Sequence, residues 1–186
     1  QAYAHDMEAE EACNYLLLMQ AYAHWTGDTA PARRHAGLLQ RLGNYLLWTD
    51  RDGSGFASEG TANTIDDASP AVQYSRKQTY LAVKRIAALR AVADLLSHTD
   101  ESDHGPAYQH AAEDDAPKIE AAAWLGDHYA VCADKSAVGI TDVWTGKPLA
   151  YDELPGWDAY HIYSSNGLLL PVMCAMPVIV ACAASP

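Results

Sequence analysis

The chain has 186 residues and a formal net charge of −12, with 24 Asp and Glu residues against 12 Lys and Arg residues. This length is enough for one domain with a sizeable core. The acidic balance and the lack of a basic stripe argue against a nucleic-acid partner and against an anionic membrane as partner. The chain has 11 tyrosines and 5 tryptophans but a single phenylalanine, and such amphipathic rings suit either a sugar-binding surface or the seams between helices.

The first two predicted helices form a hairpin. Helical periodicity covers about residues 7–24, with glutamates in the first turns, where negative charge suits the helix dipole, and Gly27 as the stop signal. A second amphipathic stretch covers about residues 30–48 and is opened by Pro31. Because only a few residues link the two helices, we expect them to pack antiparallel.

A long loop follows, from residue 49 to about residue 72, and loops of this length are usually functional. At its start, side chains that carry oxygen atoms stand at every second position and are followed by a glycine. The first half of a calcium-binding loop has the same order of residues. This order predicts a Ca²⁺ site as the only cofactor site of the chain; the alternative is a tight turn made of turn-forming residues. The predicted metal ligands are Asp50, Asp52, Ser54, the Phe56 carbonyl and Glu59, although Thr61 stands where a calcium loop has its closing glutamate.

Two adjacent carboxylates, Asp66 and Asp67, close the same loop. Neighbouring like charges raise the pKa of one of the two groups, as a general acid requires. The alternative is that one of them caps the segment that follows.

The second half of the chain predicts three further helices. The third, about residues 74–98, is apolar on most of its circumference and is expected to be an inner helix; residues 99–115 are expected to form a solvated loop. Pro117 is expected to open a fourth helix to about residue 134, and residues 138–150 alternate as a short β-hairpin that turns at Thr145-Gly146. The apolar run 168–184 is short for a membrane span and contains Pro171 and Pro177, so we expect a buried helix.

A loop rich in aromatic residues covers about residues 151–166. Rings interleaved with Asp, His and Asn are typical of a sugar subsite, in which an apolar ring faces the sugar and polar groups bind its hydroxyls. A loop anchored by aromatic packing is the alternative. The candidate contacts are Trp157, Tyr160, His161 and Tyr163.

The predicted fold class is all-α, with helical hairpins at roughly 40–50 residues per pair that form part of an (α/α)6 toroid and a small β-hairpin in a late loop. The predicted helices are too few to close a ring of six hairpins. We therefore expect residues 1–186 to be one helical domain, a segment of a larger domain that the rest of a parent chain, or another chain, completes.

Three motifs of the chain together resemble the (α/α)6 domain of glycoside hydrolases of families 116 and 52. They are the turn Asp50-x-Asp52-Gly-x-Gly, the sequence Asn63-Thr64-Ile65-Asp66, and the helix from Tyr80 to Ala93. The resemblance implies that Asp66 is the general acid/base, and Ile65 replaces the tyrosine of the family pattern. The second carboxylate that a glycosidase needs lies further upstream in that family, and the best local candidate here is Glu11.

The opening residues 7–14, with Asp66-Asp67 and the helix after them, are also similar to the helical toroid domain of glutaminase A-like proteins. The resemblances together predict a glycosidase acting on an oligosaccharide or glycoside. The alternatives are a glutaminase A-like amide hydrolase and a non-catalytic glycan-binding helical module. Further substrate contacts are expected from Asn63, Thr64 and Arg76. The protein is expected to be soluble, either cytoplasmic or secreted.

Overall fold

The computed structural model describes residues 7–59, 70–136, 141, 145–148 and 152–159. These residues form six α-helices and one 3₁₀ turn. The helices are α1 (Glu8–Thr26), α2 (Ala30–Arg34), α3 (Ala36–Thr49), α4 (Pro70–Tyr74), α5 (Thr79–Ser97) and α6 (Gly105–Ala123), and the 3₁₀ turn covers Ser102–His104.

Helix α1 confirms the first predicted helix, with Glu8, Glu10 and Glu11 in its first turn. It ends where Gly27 takes the left-handed conformation (φ 70°) and donates its N–H to the Ala23 carbonyl at 2.9 Å. This conformation is strained for residues with a Cβ, so glycine is the residue that suits the position.

The second predicted helix is interrupted at His35, which leaves the helical conformation at φ −112° and ψ 18° between α2 and α3. The two pieces still return along α1, so the predicted antiparallel hairpin is confirmed. The third predicted helix begins later than expected, at Thr79, because the short helix α4 and four non-helical residues precede it.

Contacts at both ends of the helices establish their directions. Glu10 meets Lys84 near the start of α1 and α5, and Gln20 donates to Asp94 near their ends, so these two helices are parallel. Arg85, early in α5, contacts Leu46 late in α3. Because Arg85 also meets Asp115, in the second half of α6, both α3 and α6 run antiparallel to α5. This alternation is the packing of stacked helical hairpins.

Helix α5 is buried along most of its length, as predicted for an inner helix. The core that it shares with α1, α3 and α6 is formed by leucines, alanines and a few larger side chains. At one point α6 approaches α3 closely: a Cβ on Gly43 would lie 2.8 Å from the Tyr108 ring, whose hydroxyl donates to Asn44 Oδ1 at 2.8 Å. The main buried side chains are Leu16, Leu17, Leu39, Leu46, Leu89, Val92, Leu95, Leu96, Tyr108 and Ile119.

The polar stretch 99–115 is not the solvated loop that the sequence predicts. Its second half is the first half of α6, because Tyr108, Ala112, Asp115 and Ile119 recur at helical spacing and all face the core. Few of these residues are large and apolar, so the periodicity is weak in the sequence.

The predicted start of the fourth helix at Pro117 is also wrong. Pro117 lies inside α6, where it removes one helical hydrogen bond. Its exposed position leaves the affected carbonyl within reach of water. The helix ends at Ala123 rather than near residue 134, because Trp124 turns to extended backbone at ψ 122°.

The predicted β-hairpin retains one described contact, an antiparallel bridge between Thr141 and Pro148 on either side of the Thr145-Gly146 turn. The predicted apolar helix 168–184 lies outside the described residues. Among the helices that are described, none is long and apolar enough to cross a membrane.

The connections differ sharply between the two ends of the helices. Residues 27–29 and 98–104, at what we call the turn end, are short links. The opposite end, where α1 and α5 begin and where α3 and α6 end, carries longer segments, and we call it the loop end. Its described segments are residues 50–59, 70–78 and 124–136. A second small core of Ala71, Val72, Val131, Cys132 and Leu154 joins these segments to residues 152–159.

Candidate active site

The loop end contains two groups of buried charged side chains, centred on neighbouring residues of α5. Lys84 faces α1, whereas Arg85 faces α3 and α6. Charged side chains are rarely buried unless they are paired, so the partners of these two cations decide what each group does.

Arg85 holds three segments together, and we call its group the Arg85 clamp. Its guanidinium donates to the Leu46 carbonyl at 2.7 Å, to the Gly55 carbonyl at 3.4 Å and to Asp115 Oδ2 at 2.7 Å. The other oxygen of Asp115 accepts from Lys118 at 2.9 Å. The clamp thus joins the end of α3, the start of the long loop and α6, and its direct partners include two backbone carbonyls.

Asp50 completes the clamp at a greater distance, with Oδ2 3.9 Å from Arg85 Nη2 and 3.0 Å from the donating Gly55 N–H. Its Oδ1 is buried without a hydrogen-bond partner among the described residues. Burial raises the pKa of Asp50, Arg85 and the Gly55 N–H act to lower it, and the nearby Asp115 and Asp52 carboxylates add to the rise.

Two of the candidate calcium ligands face protein cations in the structure. Asp50 faces Arg85, and Asp52 forms an ion pair with Lys77 at 2.5 Å, which with the hydrogen bond from Ser54 holds the pKa of Asp52 well below its usual range. Glu59 is exposed, and its N–H donates to the Thr49 carbonyl. Over the described parts of the chain, no group of three or more His, Cys, Asp and Glu side chains is arranged to hold a metal ion.

Ser54 and Phe56 have structural roles in the same turn. The Ser54 N–H donates to Asp52 at 3.1 Å, Ser54 Oγ accepts from the Phe56 N–H at 3.4 Å, and the Phe56 ring is buried in the core. The turn is therefore built from side-chain-to-backbone hydrogen bonds and two protein cations, which supply the positive charge that a calcium ion would bring.

The second group, which we call the Lys84 triad, consists of Glu10, Tyr80 and Lys84. The Tyr80 hydroxyl donates to Glu10 Oε1 at 2.7 Å, and Lys84 Nζ donates to the same oxygen at 3.0 Å and to the Tyr80 hydroxyl at 2.8 Å. The side chains of Glu10 and Lys84 are only 5% and 6% exposed. Tyr80 is half-buried, so it is the member of the triad nearest to solvent.

Burial and the hydrogen bond to Glu10 raise the pKa of Tyr80 far above its usual range. Tyr80 is therefore a neutral phenol at every physiological pH. The adjacent Cys13 thiol has its pKa raised to about 12 by burial, which leaves it protonated and unsuited to nucleophilic chemistry.

The sequence did not single out the Lys84 triad as a site. The sequence predicts Glu11 as the second carboxylate. In the structure Glu11 is exposed on α1, while Glu10 is buried and belongs to the triad. Two consecutive cations in the middle of an apolar helix, Lys84 and Arg85, were the available signal, since buried cations require buried partners.

The remaining predicted site residues divide into two sets. Arg76 is exposed at the loop end, between α4 and α5, and Trp157 is half-buried with its Nε1 donating to Glu153. The other candidates, Asn63, Thr64, Asp66, Asp67, Tyr160, His161 and Tyr163, lie outside the described residues.

Aromatic side chains surround the loop end. Trp124 is 45% exposed and meets the Tyr129 ring edge-on at 4.9 Å, and Trp48 at the end of α3 is 43% exposed. Lys135 lies 4.2 Å from the centre of the Trp157 ring. These rings provide apolar surface at the same end of the helices as the two buried charge groups.

Comparison with known proteins agrees with the helical architecture. The sequence model of a family described as the glutaminase A six helical-hairpin domain matches residues 1–141. No curated protein matches the chain. The matched region contains all six described helices, both charge groups and the segment 60–69.

Proposed function

Because the chain belongs to the glutaminase A six helical-hairpin family, we propose that it forms part of the active-site cleft of a hydrolase that cleaves an amide of the glutamine type. Family membership is the observation that carries this proposal. The position of the long loop supports it, since the loop follows α3 at the end where the parallel helices α1 and α5 begin.

Asp66 is the proposed general acid/base. Hydrolysis adds water to the amide carbon, breaks the carbon–nitrogen bond and releases ammonia, so one group must take a proton from water and one must deliver a proton to the leaving nitrogen. A carboxyl beside a second carboxyl, as Asp66 is beside Asp67, can have its pKa raised toward the range that this transfer needs.

Further helical hairpins are expected to complete the cleft. The family domain has six hairpins, whereas the described residues contain the two formed by α1–α3 and α4–α6. Helix α1 also leaves Leu18, Tyr22 and Trp25 exposed at helical spacing, as expected for a face that a neighbouring hairpin covers. We propose that the rest of a parent chain, or another chain, supplies the missing hairpins.

Glycoside hydrolysis is the second candidate, and the exposed Trp48 and Trp124 rings at the loop end favour it. Aromatic rings stack on the apolar faces of sugars, and polar groups beside them bind hydroxyls. The same carboxyl, Asp66, would then protonate the glycosidic oxygen, and a second carboxylate would be required across the sugar.

A substrate screen with the full chain, alone and within its parent protein, separates the candidates. Ammonia release from L-glutamine would support the amide hydrolase, and nitrophenol release from nitrophenyl glycosides would support the glycosidase. Asp66→Asn is expected to abolish the activity with a nearly unchanged melting temperature, and Asp100→Asn, at an exposed position of the turn end, is the matched control. Glycan binding without turnover, unaffected by Asp66→Asn, would replace both candidates with a binding module.

A further inference from the structure

We propose that His128 is a protonated, pH-sensitive latch that fastens the end of the 152–159 segment to the 124–136 segment. The inference rests on the contacts of described residues and is independent of the proposed hydrolase.

His128 lies in the turn that follows α6. Trp124 and Tyr129 pair as an antiparallel bridge at the base of this turn, and the Leu125 N–H donates to the His128 carbonyl at 2.9 Å. The side chain of His128 is 20% exposed and reaches the 152–159 segment. The ring therefore connects two segments of the loop end that are distant in the sequence.

Both ring nitrogens of His128 face oxygen atoms of acceptors. Nδ1 lies 2.6 Å from Asp127 Oδ1, and Nε2 lies 2.7 Å from the Asp158 backbone carbonyl oxygen. An ionised carboxylate and a backbone carbonyl only accept, and a neutral imidazole has a single N–H, so in the neutral ring one contact would set two lone pairs against each other. The imidazolium form satisfies both contacts at once, whatever else the ring meets.

The electrostatics of the two segments agree with this assignment. The hydrogen bond to the Asp158 carbonyl, and then the one to Asp127, raise the pKa of His128 above its ordinary value of 6.5. Burial acts against them, and the charges of both carboxylates favour the protonated ring. Lys135, a cation of the same two segments, pairs with Glu153 at 2.9 Å. The groups that face His128 from its own turn and from the opposite segment are thus acidic.

The latch acts on one end of the 152–159 segment. Backbone hydrogen bonds attach Leu154 and Trp157 to residues 131–135, and these bonds do not titrate. His128 binds the next carbonyl, that of Asp158. Loss of the proton therefore affects the last two residues of the segment and leaves the rest attached. The predicted aromatic contacts of the loop follow these two residues in the sequence.

The pH range of the latch follows from the direction of the pKa change. Because the pKa of His128 is raised in the folded protein, its stabilisation is fully present below the unfolded value of 6.5 and is lost as the pH rises through the folded pKa. The neutral ring donates to one acceptor at most. Asp127 is 85% exposed and can turn to water, and the bond to Asp158 then loses the charge that strengthens it.

NMR of the full chain with ¹⁵N-labelled histidine and backbone tests the latch directly. The ring nitrogens of His128 are expected to change from imidazolium to neutral shifts with a midpoint above pH 6.5. The amide signal of Ala159, which shares a peptide group with the Asp158 carbonyl, is expected to move with the same midpoint. A midpoint at or below 6.5, or an Ala159 signal that does not follow it, overturns the inference.

Three variants make the titration specific. His128→Gln removes the titrating ring and is expected to abolish the pH-dependent shift of Ala159, and Asp127→Asn is expected to lower the His128 midpoint. His110→Gln is the matched control, because His110 pairs with Asp114 within α6 at 3.4 Å and its loss should leave the Ala159 titration unchanged. An Ala159 shift that persists in His128→Gln contradicts the latch.

Hydrogen exchange of the full chain gives a second measurement. Protection within residues 152–159, corrected for the intrinsic exchange rate at each pH, is expected to fall at the Asp158 end as the pH rises through the midpoint. The fall is expected in the wild type and in His110→Gln but not in His128→Gln. Equal protection at every pH in all three proteins would overturn the inference. Neither measurement uses turnover, so failure of the proposed hydrolase leaves both tests intact.

Discussion

Lys84 and Arg85 are neighbours in the sequence, and both are buried, but they belong to groups of different construction. Arg85 binds backbone carbonyls and a carboxylate on three segments, whereas Lys84 binds a carboxylate and a half-buried phenol. A cation that satisfies backbone groups contributes to folding wherever it lies. The Lys84 group instead ties the start of α1 to the start of α5 through side chains of both helices.

The largest expected effect is the loss of the Arg85 clamp. Arg85→Met removes the buried cation that pairs with Asp115 and donates to two backbone carbonyls, and we expect a loss of about 3–5 kcal/mol in the free energy of unfolding, as for other broken buried ion pairs. Urea denaturation followed by circular dichroism measures it. A loss below that of Lys84→Met would contradict the structural role given to the clamp.

The Lys84 triad is expected to contribute less to stability. Lys84→Met removes the cation that pairs with the buried Glu10 and leaves the hydrogen bond from the Tyr80 hydroxyl in place, so we expect a loss of about 3 kcal/mol, the lower end for a broken buried pair. The double variant Glu10→Gln/Lys84→Met removes both charges and should recover part of that loss. Recovery in the same denaturation experiment distinguishes an unpaired charge from lost packing.

Gly55 tests how tightly the Arg85 clamp is packed. Its backbone has φ +87°, and an added Cβ would lie 3.1 Å from the Asp115 carbonyl oxygen. Gly55→Ala is therefore expected to cost roughly 2–4 kcal/mol, from backbone strain together with crowding. Gly53 is the matched control: it has φ +69° with open space around it, so Gly53→Ala should cost only the strain, about 1–2 kcal/mol.

The pH dependence of stability isolates the Asp50 carboxyl within the clamp. Its pKa is raised in the folded protein, so its proton is bound more tightly in the folded than in the unfolded state. The resulting stabilisation is complete below the unfolded pKa and is lost as the pH rises through the folded pKa. Thermal unfolding between pH 3 and pH 7 should show this loss in the wild type and not in Asp50→Asn.

The smallest expected effect concerns the calcium hypothesis. Because Lys77 and Arg85 already balance the charges of Asp52 and Asp50, removal of divalent cations with a chelator is expected to leave the melting temperature unchanged. Differential scanning calorimetry with and without added Ca²⁺ measures it. A rise in melting temperature with Ca²⁺ that Asp52→Asn abolishes would restore the predicted metal site.

The sequence by itself determined the parts of this protein that depend on local periodicity. Dense apolar repeats identified α1 and α5, and the short link between α1 and α2 predicted their hairpin. The repeated pairs of helices predicted an architecture of stacked helical hairpins. It missed the first half of α6, because small and polar residues such as Ala112 and Asp115 form the face that α5 covers.

Only the tertiary structure decided which polar residues face each other. Glu10 and Glu11 are equivalent in a sequence, but α5 packs against one side of α1, so Glu10 meets Lys84 and Glu11 meets water. The same packing gives Asp50 and Asp52 protein cations from distant positions in the sequence as partners. Long-range contacts of this kind depend on how the helices pack, and no spacing along the chain encodes them.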